Sequence, residues 1–109
     1  MEVIFLSGPY RADSPWEIVQ NIRHAEKYAL KYWKQGYAVI CPHKNSGLFD
    51  GADGLQDSTW LDGDIELMKR SDIVVMIPGW EQSEGAKGEL ALAVDLDKKV
   101  IFERHDPAL

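Results

Sequence analysis

A single cysteine, Cys41, stands in the whole chain, which excludes a disulfide framework and a cysteine-rich zinc site. Its place at the end of an apolar strand reads as a buried thiol, in keeping with an intracellular, cytoplasmic setting. No run approaches the roughly 20 apolar residues of a membrane span, so no membrane partner is expected. The N-terminus reads as a strand, not a signal peptide. Positive charge is scarce as well: 12 Lys and Arg against 18 Asp and Glu leave a net charge of −6. A nucleic-acid polymer needs a basic face and is not expected as a partner. A small ligand held by one or two local cations is compatible with that balance. The acidic cluster Asp50, Asp53 and Asp57 lacks the spacing and terminal Glu of a calcium loop, so no metal is expected.

What remains is a chain of 109 residues, 45% hydrophobic, sufficient for one domain over residues 1–109 with a real core. Residues 2–7 read as a first buried strand, broken by Gly8-Pro9-Tyr10-Arg11. Ser14-Pro15-Trp16-Glu17 joins an N-cap Ser, Pro at the first helical position and Glu three residues on. Helical spacing then runs through Trp16, Val19, Ile22, Ala25, Ala29, Tyr32 and Trp33, with Gly36 as a stop and Lys27, Lys31 and Lys34 as a solvated end. Tyr37–Cys41 is a second strand. Residues 43–58 read as a long loop, functional or mobile. A helix from about Trp60 to Arg70 follows, capped by Thr59. Asp72–Pro78 carries a third strand, and Asp72 reads as a turn residue at the end away from any site. A helix over 84–97, capped by Ser83, buries Ala86, Leu90, Ala93 and Val94; Lys99–Phe102 is the last strand. Alternating strands and helices predict an α/β fold, a flavodoxin-like parallel sheet of about four strands in order 2-1-3-4 with helices on both faces. Ligands in such sheets sit beyond the carboxyl ends of the strands where the order reverses. That brings Gly8–Arg11 beside Gly79–Glu89.

Two carboxylates are out of place. Glu89 lies within the apolar stripe of its helix, and Asp64 shares a face with Trp60, Leu61, Ile65 and Met68. Convergent carboxylates suit glycosidic-bond chemistry, one as nucleophile and one in proton transfer. Helix-terminal stabilisation is the plainer reading of Asp64. Arg11, Ser83, Gly85 and the free amides of the helix start could hold an anion; capping explains Ser83 equally well, and Glu81 and Glu84 oppose an anion if they point inward. His43 sits at the ligand end of strand two, as a loop residue or a site residue. Tyr10, Trp60 and Trp80 could stack on a base or pack in the core.

Ser7-Gly-Pro-Tyr-Arg11, Asp64 eight residues before Asp72, and Ser83-x-Gly-x-x-x-Glu89 together resemble the nucleoside 2-deoxyribosyltransferase superfamily. Gly-Trp-Glu-x-Ser-x-Gly-Ala is similar to its short phage and bacterial branch, near the nucleoside 5′-monophosphate N-glycosidases. The resemblance runs from residue 3 to 102. It implies Glu89 as the nucleophile at C1′, Asp64 as the acid assisting the leaving base, no cofactor, and a nucleotide or nucleoside as the small-molecule partner. It implies substrate contacts at Gly8, Pro9, Tyr10, Arg11, His43, Trp80, Ser83 and Gly85, and a homo-oligomer, dimer or larger. Ser83, where the free-nucleoside transferases carry a carboxylate, together with Arg11 implies a 5′-monophosphate and its hydrolysis; exchange of bases is the alternative. Pro9 departs from the hydroxyl residue of the monophosphate hydrolases, and the chain ends soon after strand four, without an obvious counterpart to a residue a neighbouring subunit donates there. A nucleotide-sensing module without catalysis is the rival from another class. A plain interaction domain is a weaker fit, because it leaves both buried-face carboxylates without a purpose.

Overall fold

Apolar, β-branched runs form the strands of the computed structural model, which describes residues Met1–Leu109. They are β1 (Val3–Ser7), β2 (Ala38–Ile40), β3 (Ile73–Met76) and β4 (Lys99–Phe102). All pair in parallel, in the order β2-β1-β3-β4. The α/β, flavodoxin-like arrangement is the expected one. Every β3 side chain is at most 1% exposed. Burying each such side chain contributes about 1.5–3 kcal/mol, so the central strands fix the turns that come after them.

Strand alternation divides the core. Ile4, Leu6, Ile73 and Val75 face α1 (Pro15–Lys34), packing on Ala25, Tyr28, Ala29 and Tyr32. Phe5, Val74 and Met76 face the other side, against Met68 of α3 (Asp57–Lys69) and Ala86 and Ala93 of α4 (Glu84–Asp95). The Ser14 and Ser83 side chains accept from the Glu17 and Ala86 amides, as capping predicts. Asp72 is a turn residue: its carboxylate accepts from the Val3 amide at 2.7 Å, at the far end of the sheet.

Several expectations need correction. Residues 43–58 are not one loop: a one-turn helix α2 (Pro42–Asn45) and a 3-10 turn (Ala52–Gly54) lie there. Helix α3 starts at Asp57, before Thr59, with Gln56 at the cap and no side-chain cap bond. Trp16 and Trp33 are 72% and 52% exposed. At 20 residues α1 is about 30 Å long, twice the span of the strands it covers, so its ends overhang the sheet. Val94 is exposed on α4. Lys31 is not merely solvated; its Nζ lies 3.0 Å from both carboxylate oxygens of Glu103, which also accepts from the Tyr32 hydroxyl. Cys41 is buried and free, and burial pushes its thiol up to about 11. No helix is long and apolar enough to cross a membrane.

Candidate functional site

The turns after β1 and β3 are packed together at the switch point. Gly8 leaves no room for a side chain, since a Cβ there would meet Ile77 Cγ1 at 2.3 Å. Gly79, at φ 96°, lets the Pro9 ring close against the second turn. Ile77 N–H donates to the Ser7 carbonyl at 2.9 Å. Two histidines hold the turn carbonyls: His43 Nε2 lies 2.9 Å from Pro9 O, and His24 Nε2 2.9 Å from Pro78 O. A carbonyl can only accept, so Nε2 of each ring carries the proton. His43 Nδ1 is then a buried acceptor without a partner.

Above these turns opens a cleft of about 850 Å³, walled by the β1–α1 turn, residues 42–57, the inner face of α3 and the first two turns of α4. Glu89 and Asp64 both line it. Strand alternation puts Ser7 on the same face as Phe5, toward α4, and its hydroxyl donates to Glu89 Oε1 at 2.6 Å. Burial pushes the Glu89 carboxyl up to about 7; the Ser7 hydrogen bond opposes the rise and the Asp64 charge adds to it. Burial pushes Asp64 up to about 6. The cleft thus brings together two carboxyls that feel one another, and near neutrality the pair holds a proton.

Gly8, Tyr10, Arg11, His43, Ser83 and Gly85 also line the cleft. Arg11 Nη2 is paired with Asp57 Oδ2 at 2.7 Å. The Tyr10 hydroxyl donates to Asp50 at 3.3 Å and accepts from the Leu48 amide at 2.8 Å. The two contacts tie the β1–α1 turn to the start of α3 and to the segment before it. Two predicted contacts lie elsewhere. Pro9 packs behind the wall on Gly79. Trp80, steered by the turn at Gly79, lies against Phe102 in a tilted contact with ring centroids 5.6 Å apart and packs on the α4 side of the core. Residues that the motifs do not mark as site residues also border the cleft, among them Asp50, Asp57, Trp60 and Glu84, and the fully buried Ser7 supports it from beneath through Glu89. Ser7 was readable from strand alternation. Asp57 gave no signal beyond its place in an acidic cluster. Trp60, a candidate for stacking, has a buried indole N–H without a partner and an edge contact to Phe49. His, Cys, Asp and Glu side chains nowhere gather in threes as a metal site requires.

This arrangement of strands and helices recurs in solved structures. A 2-deoxyribosyltransferase from the psychrotolerant bacterium Bacillus psychrosaccharolyticus superposes with a TM-score of 0.65 at 23% identity, over 95% of this chain and 77% of that one. A conserved protein from Enterococcus faecalis V583 gives 0.73 at 19% identity, over 98% of this chain and 65% of that one. A 2-desoxiribosyltransferase from Leishmania mexicana gives 0.67 at 14% identity, over 97% and 66%. The fold is therefore the one seen in 2-deoxyribosyltransferases. No curated protein matches the sequence. Residues 4–102 match the family described as a domain of unknown function, DUF4406, and the chain belongs to that family.

Proposed function

We propose that the cleft cleaves the N-glycosidic bond of a nucleoside or nucleotide, with Glu89 as nucleophile and Asp64 as acid. The observation that carries this reading is the carboxyl pair itself: Glu89 held by the Ser7 hydroxyl, Asp64 desolvated on the facing helix, both in one cleft at the switch point. Glu89 is the more basic carboxyl of the pair, so the reactive form is the minority one, with the shared proton on Asp64. The Ser7 hydrogen bond favours that form by stabilising ionised Glu89, and it occupies Oε1, leaving Oε2 to attack C1′. As the new C–O bond forms, the C1′–N bond breaks, its electron pair goes to the base, and the departing base takes the proton of Asp64. Water then attacks the glycosyl ester, passing a proton to the Asp64 carboxylate, and Glu89 leaves as a carboxylate. The likeness to 2-deoxyribosyltransferases supports this chemistry, and no cofactor is needed for any step.

Hydrolysis leads on the resemblance, with Ser83 standing where the base-exchanging transferases carry a carboxylate. Exchange onto a second base is the runner-up. A homo-oligomer, dimer or larger, belongs to this reading. It is supported by an open apolar groove along the edge strand β2, lined by Leu30, Trp33, Val39 and Leu67, and sedimentation equilibrium tests it. The test of function is incubation with ribo- and deoxyribonucleosides and their 5′-monophosphates, with chromatography for free base. Base release abolished by Glu89→Ala is expected. Activity surviving Glu89→Ala undiminished would sink the assignment, and ligand binding without base release would favour a sensing module. A new nucleoside appearing when a second base is added would identify the transferase.

A further inference from the structure

The charged side chains of the cleft are almost all of one sign. Asp50, Asp57, Asp64, Glu84 and Glu89 face a single guanidinium, Arg11. His43 brings no compensating charge, because burial disfavours its protonated form. That one guanidinium is already engaged, 2.7 Å from Asp57. Asp57 is the first residue of α3, where the free amides of the helix start favour a carboxylate, so its position does not depend on Arg11. At the other possible anion-holding element, the start of α4, the Ser83 oxygen takes the Ala86 amide, and Glu84 pairs with Lys87 at 2.8 Å, which leaves no free cation there.

We propose that Asp57 is a selectivity residue: by holding the only guanidinium in the cleft, it disfavours ligands carrying a phosphate and favours those with an uncharged group in its place. The proposal rests on the reading of the cleft as a nucleoside or nucleotide site, and it concerns a phosphate that reaches the Arg11–Asp57 pair. Asp57 acts in two ways, by holding Arg11 and by its own negative charge beside it. Both partners of the pair are more than half exposed, 60% and 54%, so the pair itself opens easily. The larger obstacle to a phosphate is the displaced Asp57 carboxylate, which stays beside it, fixed at the start of α3, with Asp50 on the same rim. A ligand with a hydroxyl there displaces nothing and meets no repulsion.

The test measures binding of a deoxynucleoside and its 5′-monophosphate by calorimetry to protein carrying Glu89→Gln, so that turnover does not intervene. The same pair of ligands is assayed for kcat/KM with Glu89 intact. Asp57→Asn is expected to raise the monophosphate-to-nucleoside ratio about tenfold, the effect of removing one unit charge ~6 Å away in a half-solvated cleft. Asp57→Glu, which keeps the charge, is expected to keep the original ratio. Adding Arg11→Ala to Asp57→Asn is expected to abolish the gain. A ratio that moves less than twofold in Asp57→Asn, or that moves equally in Asp57→Glu, overturns the role of Asp57 while leaving the glycosidic reading intact. A protein that neither binds nor cleaves either ligand overturns both.

Discussion

Replacing Glu89 by Gln should stabilise the protein, and the gain should depend on pH. The carboxyl titrates at about 7 in the folded chain against 4.5 in the unfolded one. The folded state therefore binds this proton more tightly than the unfolded state. The resulting stability is fully present below pH 4.5, falls between 4.5 and about 7, and is lost above 7. At about 1.4 kcal/mol per unit, the full shift corresponds to ~3 kcal/mol, and partial solvation of the cleft reduces the expectation to about 1.5–3 kcal/mol. Gln carries no charge at any pH, and its Oε1 can still accept from Ser7. Thermal unfolding followed by circular dichroism across this range should show nearly equal Tm values in acid. Above neutrality the variant should melt higher by roughly 5–12 °C for a domain of this size. The Asp64 contribution is present in both proteins and cancels to first order. A Tm difference that does not change with pH, or a variant less stable above pH 7, would refute the claim that burial of an ionised Glu89 is a standing cost of this fold.

Two further perturbations probe the surroundings of that carboxyl. Ser7→Ala removes the donor at 2.6 Å. A hydrogen bond to a charged group contributes about 1.5–3 kcal/mol, so the Glu89 pKa should rise by about one to two units. The acid limb of the pH profile for base release should move with it, and an unmoved limb would remove Ser7 from the account. Gly8→Ala drives a Cβ into Ile77 Cγ1 at 2.3 Å, in the fully buried core. It should cost about 1–3 kcal/mol, whereas Gly88→Ala, inside α4 with nothing within 4 Å, should gain up to about 1 kcal/mol. Denaturant unfolding of the two variants measures both signs.

The sheet was legible because its strands are short, apolar runs separated by helical spacing, and the handedness of crossovers leaves few arrangements of them. Glu89 and Asp64 were legible for a related reason, as carboxyls on faces that otherwise carry apolar residues, and both line the cleft. The side chains of the rim were not. Thr59 is the better cap on propensity, yet α3 begins at Asp57 without any side-chain cap, which moves Asp57 onto the helix start beside Arg11. Trp80 follows a glycine in the left-handed region, and the direction of such a turn depends on what it packs against, here Phe102. Trp16 and Trp33 keep helical spacing but stay exposed, Trp33 in the open groove beside edge strand β2, because periodicity carries no information about where the sheet ends. Lys31 finds Glu103, 72 residues away, a pairing that no local pattern encodes.

The central claim is covalent attack by Glu89, and its most direct measurement is acid-quenched peptide mapping by mass spectrometry during cleavage of a nucleoside or nucleotide. The account predicts a glycosyl adduct on the peptide that contains Glu89, absent from Glu89→Gln, together with loss of base release in that variant. An adduct on another side chain, or base release at the original rate in folded Glu89→Gln, would contradict it.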